Sequence, residues 1–353
     1  GIITADVVDM QSNNEFDNGI CIHGERGIEL NQNNVFAPGV HISMPSPDLL
    51  VTPGGQVGNN TGLEEALVWA SMEPTVAQNI DTYLTDFLDI SSDSQPDYVA
   101  NGQNPEVISV NESAFDPEAM VAGKVYNITC TGGNNTLNLR GKSGQQASIL
   151  DQLTNIAFTA QGGNGNGNGN GNGNGNGNGG TDTGTDTGSG TDGDTSTGNG
   201  NGNGNGNSGG DNSGGGSATP TVIEQVVIVT NCDVKLDKDT VVRNAIIATS
   251  STDAKSVQGS SGVKIGDPDN CAPGGGAQIL TAGGMHFAAK MEFHGSQIAS
   301  KGPIKLAAQV DGLSGTSIQS LSRVDLASNN AAALCKSEID EVLELPDGYR
   351  RHQ

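Results

Sequence analysis

Aromatic side chains make up 3% of this 353-residue chain, which has one Trp and four Tyr. Sugar platforms depend on exposed rings, so carbohydrate recognition by stacking has little to draw on. Trp69 falls in a predicted helix and is expected to be packed rather than displayed. Cations are scarce too, with 16 Lys and Arg against 40 Asp and Glu and a formal charge of −24. Such a surface repels phosphate backbones and anionic headgroups, which argues against nucleic acid as a partner. No window approaches the roughly 20 apolar residues of a membrane-spanning helix. The opening GIITADVVDM lacks the basic and apolar blocks of a signal peptide and reads as mid-protein sequence. We therefore expect an export or anchor segment upstream of it, through which any membrane attachment would run.

Cysteine pairs with metal or redox spacing are also missing. The five cysteines (Cys21, Cys130, Cys232, Cys271 and Cys335) form no CxxC or Cys/His pattern, so zinc and thioredoxin-like chemistry are not supported. No cofactor is implied. In a chain rich in Asn, Gly, Ser and Thr, such cysteines suggest one or two disulfides and an oxidising, extracytoplasmic compartment. VYNITC and VVIVTNC read as equivalent strand ends on neighbouring turns of a repeat, which makes Cys130–Cys232 the preferred pair. Cys271 and Cys335 are candidates for a second. Buried free thiols are the alternative.

From Gly162 to Ser217 the chain is almost wholly Gly, Asn, Asp, Thr and Ser. With nothing to bury, this insertion cannot offset the entropy of ordering and is expected to be a disordered spacer. Its Asp and Thr oxygens would suit weak Ca2+ binding, but the apolar positions of a calcium-binding nonapeptide repeat are absent.

The rest is patterned. TGLEEALVWASM has Thr61 and Glu64 at capping-box spacing, followed by an apolar stripe at helical spacing. Val76, Ile80, Leu84, Phe87 and Leu88 form a second stripe behind Pro74. Together they predict a small αα-hairpin that covers a sheet edge or one end of the fold. Elsewhere short apolar-x-apolar strands prevail. Met285-His-Phe-Ala-Ala, Ile304-Lys-Leu-Ala-Ala and Val324-Asp-Leu-Ala-Ser recur at a nearly constant interval. Val263-Lys-Ile, Val234-Lys-Leu, Leu137-Asn-Leu and Ile28-Glu-Leu share the core of that pattern. A period near twenty suits a mainly β chain folded as a parallel β-solenoid. Met285, Ile304 and Val324 should then stack inward with Phe287, Leu306 and Leu326, leaving His286, Lys305 and Asp325 in solvent. An antiparallel sandwich is the alternative.

These signals divide the chain into solenoid strands over 1–59, a helical hairpin over 60–95, further strands over 96–161, and the insertion over 162–217. Solenoid repeats follow over 218–335, then an acidic tail over 336–353.

Catalytic solenoids work through carboxylate clusters. Asp233, Asp237, Asp239 and Arg243 lie close in sequence, and His286, Glu292 and His294 might share a face with them. Solvated outward positions explain all seven more simply, and no catalytic or metal residue is assigned.

CIHGERGIELNQNNVFAPGVHISMP, NTGLEEALVWASMEPTVAQNIDTYLTDF, the strand with Cys232 and GVKIGDPDNCAPGGGAQILTAGGMHFAA occur in that order. Together they resemble the C-terminal region of TadE/TadG-type proteins of tight-adherence (Flp-type) pilus systems of alphaproteobacteria. The resemblance covers nearly the whole chain outside the insertion and acidic tail. It implies a non-catalytic, envelope-anchored component of pilus assembly or of a surface structure, with other pilus or envelope proteins, or further copies of the chain, as partners. The family's hydrophobic N-terminal anchor is not in this sequence, and the Asn-Gly insertion departs from its pattern. A polysaccharide-binding or polysaccharide-degrading β-solenoid is the rival reading.

Overall fold

Alternating apolar and polar residues between Gly-, Asn- and Ser-rich corners give strands of two to six residues. The computed structural model describes residues 1–53, 59–72, 77–78, 80–82, 84–85, 106–132, 135–140, 142–143, 221–267 and 276–332. The Gly162–Ser217 tract, Cys271, Cys335 and the 336–353 tail lie outside them. The described part is mainly β, with few helices and four sheets of eleven, nine, six and three strands.

The chain visits the sheets in rotation. Gln278–Thr281 joins the eleven-stranded sheet, Met285–Phe287 the nine-stranded and Glu292–His294 the six-stranded. The next circuit repeats this with Gln297–Ser300, Ile304–Leu306 and Asp311–Ser314. Neighbouring strands are parallel; the one exception among described residues is Lys142–Ser143 against Thr221–Glu224. Met285, Ile304 and Val324 share one register, as do Phe287, Leu306 and Leu326, all with buried side chains.

The order of circuits in space is not their order in sequence. Ile2–Thr4 lies between Ser317–Ser320 and Cys21–Gly24, pairing Ile2 with both Ile318 and Ile22. The N-terminal circuits thus continue the stack where the C-terminal ones stop. One inward column runs Ile228, Ile247, Ile279, Ile298, Ile318, Ile2, Ile22 and Ile42, buried throughout.

Buried hydroxyls line up at the ends of these strands. Thr230, Thr249, Thr281, Ser300, Ser320 and Thr4 are in register. Several accept the N–H two residues on, as Thr249 does from Ser251 at 3.1 Å, which fixes the corner that follows. A second polar column consists of asparagines. The main-chain N–H of Asn330 donates to Asn14 Oδ1, that of Asn14 to Asn34 Oδ1, and that of Asn34 to Asn60 Oδ1, each at 2.9 Å. Asn13, Asn33 and Asn329, one residue earlier, turn the chain with φ near 62–64°, a conformation Asn tolerates better than most residues.

Asn34→Ala strands the buried Asn14 N–H and the Asn31 carbonyl that Asn34 Nδ2 serves at 2.9 Å. One buried and one part-buried group left unmet should lower the unfolding free energy by about 2–4 kcal/mol. Urea denaturation reads this; a loss under about 0.5 kcal/mol would mean that water replaces the ladder.

The expected helical hairpin is not formed as predicted. Helix Leu63–Ala66 is a single turn, its N-cap is Gly62 without a side-chain bond, and Thr61 instead bridges Val35. Leu67–Trp69 is a strand, pairing Leu67 with Ile42 and Trp69 with Met44. The open edge of the large sheet offers a ladder to β-prone Leu-Val-Trp, and tertiary pairing outweighs the helical spacing. Trp69, expected to be packed, is 46% exposed on that last strand.

Residues 77–78, 80–82 and 84–85 are helical, and they explain a second feature. Val227–Thr230, Ile246–Thr249 and Gln278–Thr281 are buried at every position. Their inward residues meet the core, while Ile80 and Leu84 cover the outward Val227, Val229, Ile246, Ala248 and Leu280. Burial on both faces is what makes those strands near-continuous apolar runs. Lys301 Nζ anchors the segment through Asp81 (2.6 Å) and Thr85 (3.2 Å).

Candidate functional site

Alternation leaves every second side chain of a strand outside, so any site must be assembled from outward columns and corners. Asp233 opens the nine-stranded-sheet strand Asp233–Leu236, and its carboxylate accepts from Ser251 Oγ at 2.5 Å. Asp237 follows that strand, and Asp239 sits in the corner beyond with φ 59° and Lys238 Nζ at 3.8 Å. Arg243 belongs to another sheet, on Thr240–Arg243, with Glu224 3.2 Å away. Glu292 and His294 share that second sheet at 3.3 Å, with Lys264 3.0 Å from Glu292. His286 is on the nine-stranded sheet. Five of the seven candidates therefore divide between two sheets, Asp237 and Asp239 lie in the corner between them, and the structure brings only Glu292 and His294 into direct contact.

The surroundings of Glu292 oppose one role, that of a general acid near neutrality. Burial pushes the Glu292 pKa up, but hydrogen bonds from Lys264 and His294 outweigh it and hold the group below the ordinary range. A general acid needs the opposite shift. Burial, and then Lys255 and Lys305, push His286 below its ordinary value. The lysine contribution marks a locally positive potential.

That potential has a visible source. Lys235, Gln258, His286 and Lys305 follow one another down the outward column of the nine-stranded sheet. Lys235, Lys255 and Lys305 are exposed and enter no ion pair among the described residues. The same column then turns acidic through Asp325, Asp9 and Glu29. Three carboxylates on adjacent strands would repel, and Arg323 offsets this by bonding Asp325 and Asp9 at 2.5 Å and Glu29 at 2.7 Å. Its pKa is raised, first by the Glu29 bond, against the cost of burial. Arg323 thereby ties the last C-terminal circuit to the first two N-terminal ones.

The outward face of the large sheet holds a hydrogen-bonded series. His23 Nδ1 lies 2.8 Å from Ser43 Oγ and His23 Nε2 3.0 Å from Glu25 Oε2. Glu25 also accepts the Met72 N–H at 2.6 Å, which fixes the chain as it leaves the last strand. Ser43 Oγ donates to the Ile22 carbonyl at 3.4 Å. These bonds give the group a positioning role.

Cys130 and Cys232 form a disulfide with Cα atoms 5.4 Å apart, and Cys21 is an exposed free thiol. Among the described residues no group of three or more His, Cys, Asp or Glu is placed to hold a metal, and no helix is long and apolar enough to cross a membrane.

Sequence reasoning missed the asparagine ladder and Arg323. The ladder's signal is the Asn-Asn pair at 13–14, 33–34, 59–60 and 329–330. Arg323 had none, because its acidic partners Asp9 and Glu29 lie near the opposite end of the sequence.

The chain belongs to the family described as a domain of unknown function, DUF7867, whose model matches residues 1–160 and 204–336. No curated protein and no solved structure matches it.

Proposed function

We propose that this chain is a parallel β-solenoid acting outside the cytoplasm as a non-catalytic structural or adhesive scaffold. Its narrower form, a component of a TadE/TadG-like pilus-assembly system with pilus or envelope proteins as partners, rests on the sequence motifs. The observation that carries the scaffold reading is the disposition of polar groups. Arg243, Glu292 and His294 are spent on neighbours along the sheets, and Arg323, the asparagine ladder and the hydroxyl column hold circuits together. The Cys130–Cys232 bond fits an oxidising compartment.

The test has two arms. Purified protein should release no reducing ends from acidic or neutral polysaccharides. Cells lacking the protein should lose surface adhesion, and Asp237→Ala/His294→Ala should restore it as well as the unaltered chain does. Release of reducing ends that disappears in the double variant would overturn the reading.

The lysines left without an ion pair among the described residues favour one second reading, docking of an acidic polysaccharide along Lys235, Gln258, His286 and Lys305. Binding would then weaken steeply with salt and be lost in Lys235→Ala/Lys305→Ala.

A further inference from the structure

Among the described residues, all six exposed large apolar side chains lie near the two ends of the stack. Val35, Val51, Val68 and Trp69 are on the last strands of three sheets at the end built by the N-terminal circuits. Val107 is on the first strand of the large sheet at the opposite end, and Val121 lies in the loop leading out of that strand. Both terminal strands keep the alternation of the sheet interior. In Leu67–Trp69, Leu67 and Trp69 continue the inward columns of Ile42 and Met44. In Glu106–Asn111, Ile108 and Val110 continue those of Tyr126 and Ile128. Among the described residues no strand pairs with the outer edge of either, so Ile108 and Val110 are half-buried and Trp69 is exposed.

We infer that the two ends are complementary and that copies of this chain associate head to tail, the Leu67–Trp69 edge of one against the Glu106–Asn111 edge of the next. Three observations select a second copy as the occupant. First, the strand that would extend one edge must be parallel, short and apolar-polar-apolar, and the opposite end of the same chain presents one. Second, in a continued register Leu67 faces Ile108, Val68 faces Ser109 and Trp69 faces Val110, so both inward columns run on unbroken. Third, the molecule already contains such a junction. Ile2–Thr4 stacks on Ser317–Ser320 although those strands come from opposite ends of the sequence. Open parallel edges bearing apolar residues template further pairing. Because the two surfaces differ, the contact is heterologous and propagates.

Charge sets the conditions. Each copy carries −24, so repulsion opposes association at low ionic strength and fades once the Debye length falls to about 8 Å. Added salt should strengthen this contact, the reverse of what a charge-paired interface would do.

The experiment is sedimentation velocity on the full chain. Unaltered protein should form a concentration-dependent series of oligomers that grows with salt. Trp69→Lys and Val110→Lys each place an inward charge on one edge, and each alone should weaken association by about tenfold or more. Mixed together they should form a one-to-one dimer, because one intact edge of each kind remains. The variant with both changes should stay monomeric and join neither. Thermal melting checks that the variants fold; if one does not, Val68→Lys and Val107→Lys, which point outward, replace them. The inference is overturned if the unaltered protein is monomeric at every salt and concentration. It is equally overturned if a one-ended variant associates with itself as strongly as the unaltered protein does, or if the mixture stays monomeric. A monomeric scaffold would still pass the polysaccharide and adhesion tests above, and a self-assembling enzyme would fail only those, so the two readings fail separately.

Discussion

Replacing Cys130 and Cys232 together by Ser should lower the unfolding free energy by about 4 kcal/mol, read by urea denaturation. The bond closes a sequence separation of 102 residues, and constraint of the unfolded chain grows with the logarithm of loop length. The position matters as well. Cys130 follows Lys124–Thr129 and Cys232 follows Val227–Thr230, strands paired in register on consecutive circuits. Between those circuits the chain departs for the Gly162–Ser217 tract. The corner keeps other bonds without the disulfide, since the Cys130 N–H donates to Asn231 Oδ1 at 2.8 Å and Thr230 Oγ1 to the Ile128 carbonyl at 2.7 Å. The Ser variant should therefore still fold, with its loss located in the unfolded state. Deleting the tract should leave the disulfide-bonded protein within about 1 kcal/mol of the parent. In the Ser variant the same deletion should recover about 0.7 kcal/mol, because the shorter loop is cheaper to close. A large loss on deletion would mean that the tract packs.

Leu84→Ala should cost about 2–5 kcal/mol, as expected for a fully buried leucine. Leu84 and Ile80 lie on the outer face of the large sheet against Val125, Val227, Val229, Ile246, Ala248 and Leu280. The two side chains cover valine, isoleucine, alanine and leucine on strands whose other face is the core, so truncation leaves a cavity between apolar groups. Lys301→Ala, which removes the half-exposed ion pair with Asp81, should cost under about 1 kcal/mol. The contrast separates apolar cover from charge pairing as the source of attachment. A near-zero effect of Leu84→Ala would make residues 80–82 and 84–85 a loose appendage.

The circuits were legible in sequence to the extent that they repeat locally. Met285, Ile304 and Val324 recur at a nearly constant interval because each circuit must return to the same column, and alternation places His286, Lys305 and Asp325 outside. The helix predicted through Trp69 failed because spacing cannot register an open sheet edge waiting for three residues. Of the second stripe, Ile80 and Leu84 fall in helical residues while Val76, Phe87 and Leu88 lie outside the described ones, but nothing local says that Ile80 and Leu84 cover strands as distant in sequence as Val227–Thr230 and Gln278–Thr281. The continuation of the N-terminal circuits from the C-terminal ones was invisible for the same reason. Ile2 and Ile318 carry no mark of their pairing until the topology joins them. Of the candidate site, the residue types were legible and their partners were not. Arg243 meets Glu224 rather than Asp233, because a corner separates the two sheets.

That junction between the two ends of the sequence is the centre of the account, and one cross-link tests it. Ile3 and Gln319 are Cα partners on adjacent parallel strands, both half-buried on the outward face. Strands about 4.8 Å apart place them within reach of a disulfide. With Cys21→Ser removing the free thiol nearby, Ile3→Cys/Gln319→Cys should oxidise to an intramolecular bond found by mass spectrometry in the monomer fraction. Failure of that bond to form in folded protein would contradict the stacking of the N-terminal circuits on the C-terminal ones.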